Sequence, residues 1–258
     1  MKQLFLLFFA IVFCSRIYAY DFKEGEFYYN VTDAQSFTVE VTSGEKAYSG
    51  EVIIPESVNH DGHMYSVKYI GKNAFAYTTL SSVLIPGSVV EIKDNAFYGA
   101  NIDNITFSEG LITIGNSAFG CNLGGLNNKI EFPNTLETIG DYAFHNNMRL
   151  EIIIIPASVK YIGSFAFLYD KNLSKIFSLN EVPVELPDNT FLCAGIDENT
   201  GNQELIDYTV YNEATLYVPE GSVDRYNSAT GWNQFKNFKE VDVDSPLPGE
   251  DIPYKIMA

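Results

Sequence analysis

The sequence predicts a mainly β solenoid built from coils of about 22–25 residues, with a β cap at its N-terminal end and a short helical cap at its C-terminal end. Three observations predict it. One short block recurs six times at nearly constant spacing, a column of apolar-Pro pairs runs in register with that block, and the residues leading into the pairs alternate as half-buried strands do.

The block ends in the same residue each time: VKYIGKNAF at Phe75, VEIKDNAF at Phe97, ITIGNSAF at Phe119, ETIGDYAF at Phe144, KYIGSFAF at Phe167 and a degenerate VELPDNTF at Phe191. Successive Phe residues are 22, 22, 25, 23 and 24 apart. The second column holds Ile54-Pro55, Ile85-Pro86, Phe132-Pro133, Ile155-Pro156 and Val218-Pro219, with Phe107-Ser108 as its exception. Each period therefore reads L-x-x-I-x-I-P-x-x-V-x-x-I-G-x-x-A-F. The first part, as in Leu80 to Ile85, is a strand, and the proline ends its pairing because it has no N–H to donate. The V-x-x-I part makes a second short strand on another face. Gly71, Gly115, Gly140 and Gly163 form a corner with no room for a side chain, and the A-F pair points inward. Phe75, Phe97, Phe119, Phe144, Phe167 and Phe191 are thus the expected structural spine. No single coil can bury this apolar set, whereas stacked coils can.

The division of the chain follows. Residues 1–19 read as a secretory signal peptide: Lys2, an apolar run from Leu4 to Phe13, then a short polar stretch ending at Ala19. The apolar run is too short to span a bilayer of roughly 30 Å, so cleavage near Ala19 would release a chain that does not span a membrane. Lipidation at Cys14 is disfavoured by Phe13 before it. Residues 20–50 form a capping hairpin, 51–193 the solenoid, 194–214 an acidic loop that leaves the stack, 215–241 a terminal coil and cap closed by Trp232, and 242–258 a flexible tail.

This pattern resembles the BspA-like leucine-rich repeat family, whose members lie on and outside microbial cells, over roughly residues 27 to 241. The resemblance implies a leucine-rich-repeat-type solenoid and a role in binding or adhesion. Three features depart from it: Lys93 at a Gly position, the degraded block at Leu186-Pro187, and the lack of the Asn ladder of other leucine-rich repeats.

Charge and chemistry narrow the function. With 16 Lys and Arg against 33 Asp and Glu, a net charge of −17, the chain lacks the cations that nucleic acid requires. No nucleophile elbow, phosphate loop or zinc helix occurs, so an enzyme is not expected and no cofactor is implied. His60 and His63 flank a turn at Asp61-Gly62, which explains them without a metal. His145 reads as a coil-corner residue. Cys121 and Cys193 fall at equivalent places three coils apart, about 14 Å at ~4.8 Å per coil, beyond the ~7 Å reach of a disulfide. Both are expected buried and unpaired.

If Ile85 points inward, the outward columns can be read coil by coil. One runs Ile53, Leu84, Thr106, Glu131, Ile154, Phe177, Tyr217, and its neighbour Ser82, Asn104, Lys129, Ile152, Lys175, Thr215. Leu84, Ile152, Ile154, Lys175, Phe177 and Tyr217 are the candidate ligand-binding residues. Ile152, Ile154, Phe177 and Tyr217 make an apolar patch of the kind that marks interaction sites, unless the cap or the 194–214 loop folds over it. The expectation is a secreted or cell-surface monomer that binds an extracellular or host protein in an adhesin-like role. A carbohydrate-binding or carbohydrate-processing protein is the alternative.

Overall fold

The computed structural model describes residues 19–122, 128–196 and 203–245. The expected signal peptide therefore lies outside the described residues except for Ala19. In chain order the cap comprises β1 (Phe22–Glu24), β2 (Phe27–Asp33) and β3 (Thr38–Thr42). Then come β4 (Ser49–Ile53), β5 (Ser57–His60) and β6 (His63–Ile70). Four coils supply β7 (Thr79–Ile85) with β8 (Glu91–Ile92), β9 (Asn101–Phe107) with β10 (Thr113–Ile114), β11 (Lys129–Glu131) with β12 (Thr138–Ile139), and β13 (Ile152–Ile155) with β14 (Tyr161–Ile162). The C-terminal part holds β15 (Lys175–Ser178), β16 (Cys193–Ile196), β17 (Gln203–Asp207), α1 (Thr209–Glu213), β18 (Thr215–Pro219), α2 (Val223–Ser228), a 3-10 turn (Trp232–Gln234) and β19 (Asn237–Val241).

The two strand families of each coil form separate ladders. The V-x-x-I strands extend the antiparallel cap into one sheet, ordered β1-β2-β3-β6-β8-β10-β12-β14, with β5 paired to β6. Ile70, Ile92, Ile114, Ile139 and Ile162 lie in one parallel register along it. The L-x-x-I-x-I strands form β4-β7-β9 and β11-β13-β15-β18-β19, parallel throughout. At the β5–β6 turn Asp61 and Gly62 both have positive φ, 49° and 78°, the geometry of a two-residue hairpin whose twist matches its strands.

Between the two ladders lies the spine. The six block Phe residues are fully buried, and successive rings stack 4.8 to 5.6 Å apart within 12° of parallel. Burying each stabilises the stack by roughly 2–3 kcal/mol. Tyr48 closes the first end, its ring centroid 4.5 Å from that of Phe75. Tyr211, Trp232 and Phe235 surround Phe191 at the other. Trp232 donates its indole N–H to Val184 O at 2.7 Å, which satisfies the one polar group its burial would orphan.

Gly140 marks the corner. A Cβ there would come within 2.8 Å of Asn116 N, a close approach to the preceding coil. The next residue binds across coils: Asp94 Oδ1 accepts from Asn116 N at 2.9 Å, Asn116 Oδ1 from Asp141 N at 2.8 Å, and Asp141 Oδ1 from Ser164 N at 2.8 Å.

Three expectations need correction. A short buried polar ladder does exist, three residues after Phe119, Phe144 and Phe167. Asn122 accepts from Ile102 N at 2.9 Å, Asn147 donates to Phe119 O at 3.1 Å, and Asp170 accepts from Asn147 N at 2.6 Å. It escaped notice because the column opens with Thr78 and Ala100 and ends in Asp. Residues 194–214 do not simply leave the stack: α1 buries Val210 and Tyr211, and Tyr211 donates to Asp188 O at 3.2 Å. Residues 197–202 of that insertion lie outside the described residues. Of the expected tail, residues 242–245 remain packed, since Asp242 closes a turn on Ser245 and Val243 packs against the outer-face cluster, and residues 246–258 lie outside the described residues.

Candidate functional site

The outer face of the L-x-x-I-x-I ladders is the surface this architecture offers to a partner, because alternate residues of parallel strands point away from the spine. Its registers are continuous within each sheet. Ile53 pairs with Leu84 and Leu84 with Thr106, while Glu131, Ile154, Phe177, Tyr217 and Lys239 follow one another in the second sheet. The neighbouring column pairs Ser82 with Asn104, and Lys129, Ile152, Lys175 and Thr215 in turn.

The two sheets differ in what covers them. Ile154, Phe177 and Tyr217 are 1%, 2% and 6% exposed. They form a second small hydrophobic cluster with Leu179, Val241, Ile152 and Val243. Phe177 and Tyr217 stack at 4.4 Å and 14°, with Lys239 Nζ 5.8 Å over the Tyr217 ring. The expected open patch of Ile154, Phe177 and Tyr217 is therefore a covered core. Ile152 and Lys175 are half-buried on its border. An unpartnered apolar face this size would cost about 25 cal/mol for each Å² left in water, and the chain folds its own end over it. Of the six candidate residues, Leu84 alone is exposed.

At the opposite end the face is open. Ile53 is 58% exposed and Leu84 36% exposed, and Thr106 and Asn104 are exposed beside them. Ile53 and Glu51 also border a hollow of about 560 Å³ between β4 and the cap, whose walls include Lys23, Glu26, Phe27 and Tyr28. Lys23 Nζ lies 5.2 Å over the Tyr28 ring. The floor is rigid: Tyr48 donates to Thr42 O at 2.7 Å and accepts from Tyr28 N at 3.1 Å, and burial pushes its hydroxyl well above the usual phenol range. Sequence reasoning named Leu84 but missed the hollow, since Lys23, Glu26 and Lys46 carry no motif. The signal available was the run of aromatic residues in strands of the cap.

The remaining candidate groups are scattered. His60 stacks on Phe22 at 3.8 Å and His63 on Phe37 at 4.9 Å, so both pack against the cap. Among the described residues no group of three or more His, Cys, Asp or Glu side chains is placed to hold a metal ion. No disulfide joins Cys121 and Cys193. Cys193 is buried, but Cys121 is half-buried rather than buried, with His145 against its sulfur.

A family model described as BspA type leucine rich repeat region matches six copies, over residues 63–174 and 122–214, more than half of the chain. The chain belongs to this family. No curated protein matches it significantly. Among solved structures, a leucine-rich repeat protein from T. pallidum is 20% identical, with 83% of this chain and 95% of that one covered and a TM-score of 0.50. A leucine rich cell surface protein from Faecalibacterium prausnitzii is 21% identical, with 77% and 70% covered and a TM-score of 0.45. A leucine-rich repeat protein from Bacteroides ovatus is 19% identical, with 87% and 72% covered and a TM-score of 0.47. The T. pallidum match supports the solenoid architecture. Among the described residues of this BspA-type chain, no helix is long and apolar enough to cross a membrane.

Proposed function

We propose that this BspA-type chain is an exported, non-enzymatic protein that binds an extracellular or host protein through the open N-terminal half of its outer sheet face, in an adhesin-like role. The observation that carries the reading is the exposed Ile53–Leu84 pair. Two large apolar side chains in register, Ile53 at the rim of a hollow and Leu84 on the next strand, give a partner an apolar centre with a polar rim, the anatomy of a protein interface. Membership of a family of surface repeat proteins supports an interaction role. The export signal read from residues 1–19 supports the address.

A glycan is the second reading, favoured by one feature: the hollow combines Phe27 and Tyr28 with Lys23, Glu26 and Glu51, an aromatic wall with charged groups that sugar hydroxyls can meet. The test is binding of the purified chain to extracellular matrix proteins and to glycans, beside an Ile53→Asp, Leu84→Asp double variant. Protein binding that the variant loses supports the first reading. Glycan binding that survives the double variant but is lost in Tyr28→Ala moves the assignment to the hollow. Silence across the whole panel overturns both.

A further inference from the structure

Cys121 and His145 lie on successive coils and meet at the corner of the stack. Cys121 Sγ is 3.3 Å from His145 Nε2, and His145 Nδ1 is 2.7 Å from the Tyr142 carbonyl oxygen. A carbonyl can only accept, so Nδ1 carries the proton and the lone pair of Nε2 faces the thiol. This is the tautomer that can take a proton from sulfur. Two further groups face the same atom: Tyr98 Oη at 3.5 Å and Asn146 Nδ2 at 3.8 Å. The Tyr98 hydroxyl is pushed up to about 12, first by its hydrogen bond with Cys121 and then by charge on that sulfur. In the thiol form Cys121 donates to Tyr98 Oη, and the phenol, which keeps its proton through the neutral range, can turn its O–H towards the sulfur once that carries charge.

The arrangement does not follow from the repeat alone. One residue after each block Phe stand Ala76, Tyr98, Gly120, His145, Leu168 and Leu192. Tyr98 and His145 are two coils apart, about 9.6 Å at ~4.8 Å per coil, yet their ring centroids are 5.9 Å apart. The rings lean together over Gly120, where a Cβ would collide with the imidazole. The left-handed backbone of Cys121, φ 58°, is by contrast shared by Tyr77, Asn146 and Tyr169 at the same place in other coils. It belongs to the turn and says nothing of chemistry. The titratable groups around the pair are His145 and Tyr98, with Tyr77 against Tyr98 and Tyr142 against His145.

We propose that Cys121 is a thiol–disulfide exchange site, at which His145 serves as the base and this chain becomes covalently joined to a disulfide-bearing molecule. The thiol proton passes to His145 Nε2, and the thiolate attacks one sulfur of R–S–S–R′. A Cys121–S–S–R bond forms, the original S–S bond breaks, and the departing R′–S⁻ takes the proton back from His145 as R′–SH. No external oxidant or reductant is needed, since the disulfide itself is the oxidised partner. Tyr98 and Asn146 donate to the sulfur while it carries charge. Cys193, at the equivalent position three coils on, is 2% exposed and serves as an internal reference.

The test is the rate of exchange of the full chain with 5,5′-dithiobis(2-nitrobenzoate), with peptide mapping to identify the modified cysteine. Only thiolate attacks, so an ordinary thiol such as N-acetylcysteine slows about tenfold per pH unit from pH 8 to pH 6. Cys121 is expected to slow less than about threefold per unit and to outpace that reference about tenfold or more near pH 6.5. His145→Gln removes the base and should restore the ordinary pH dependence, as should Gly120→Ala, which keeps the imidazole but displaces it. Tyr98→Phe should slow the reaction several-fold without restoring it. Continued protection of Cys193 shows that each variant is folded. If Cys121 follows N-acetylcysteine at every pH, or reacts unchanged in folded His145→Gln, the proposal is wrong. Should His145→Gln unfold, the pH profile of the native chain decides alone.

Discussion

Leu84 and Phe177 occupy the same column of the outer face, one near each end of the stack, yet Leu84 is 36% exposed and Phe177 2% exposed. The repeat dictates that both point outward, and it has nothing to say about what happens next. At the N-terminal end the cap adds its strands to the other ladder, so β4 remains the last strand of its sheet and its outer face stays open. At the C-terminal end the chain continues along the same sheet as β18 and β19, and Val241 and Val243 then pack against the column. The direction of a side chain is a local property. Its exposure depends on the path of the chain beyond the repeat.

The largest expected effect comes from treating the covered end as though it were a binding surface. Phe177→Asp removes a buried ring that stacks on Tyr217 and places a carboxylate in apolar surroundings. It should destabilise the chain by at least about 3–5 kcal/mol, seen in urea unfolding as an early transition or outright failure to fold. A fully folded Phe177→Asp chain of unchanged stability would mean that the cluster is open after all. Val243→Asp loosens the cover and leaves the column itself intact, at a cost of about 1–2 kcal/mol. Its signature is increased binding of a dye that reports exposed apolar surface, with the spine still cooperative.

Much of this molecule could be read from residue types alone, and the reason differs by feature. The spine was legible because Phe75 to Phe191 repeat one residue type at one spacing, and their stacking follows from the coil rise. The outward registers were legible for the same reason: pairs such as Ile154–Phe177 need only counting. The polar ladder was missed because its column changes type, from Thr78 and the apolar Ala100 to the rungs Asn122, Asn147 and Asp170, so no single residue marked it. Whether Phe177 is open or covered stayed undecided in the sequence, because Val241 and Val243 act through chain direction, which no periodicity encodes. The Cys121–His145 contact depends on two rings leaning into the gap at Gly120, a departure from the repeat that only coordinates display.

The ladder offers a further contrast between the ends, in sign as well as size. Asp170 is wholly buried, and burial holds its carboxyl well above the usual carboxylate range. A group whose folded pKa is raised contributes stability fully below its unfolded value of 3.8 and loses that contribution as pH rises through the folded value. Asp170 Oδ2 and Asn147 Oδ1 are both buried without a hydrogen-bond partner. Asp170→Asn keeps the acceptor for Asn147 N and adds a donor that needs no proton uptake. It should stabilise the chain by about 1 kcal/mol at pH 7, with the gain shrinking as pH falls towards 4. Thr78→Val, at the N-terminal end of the same column, removes a hydroxyl bonded to Phe75 O and should show no such pH dependence. Thermal unfolding at both pH values separates the two.

The smallest expected change in stability belongs to the residues on which the proposed function rests. Ile53→Asp and Leu84→Asp each replace a solvent-facing side chain on a strand whose inward neighbours, Val52 and Val83, are untouched and buried. Each should shift stability by no more than about 0.5 kcal/mol, while together they abolish binding to the protein partner. If the pair instead destabilises the chain as strongly as Phe177→Asp does, the N-terminal face is also an internal contact. Two apolar positions of equal register would then be covered at both ends, and the open edge of the hollow at Glu26 and Glu51, rather than the sheet, would be left to meet a ligand.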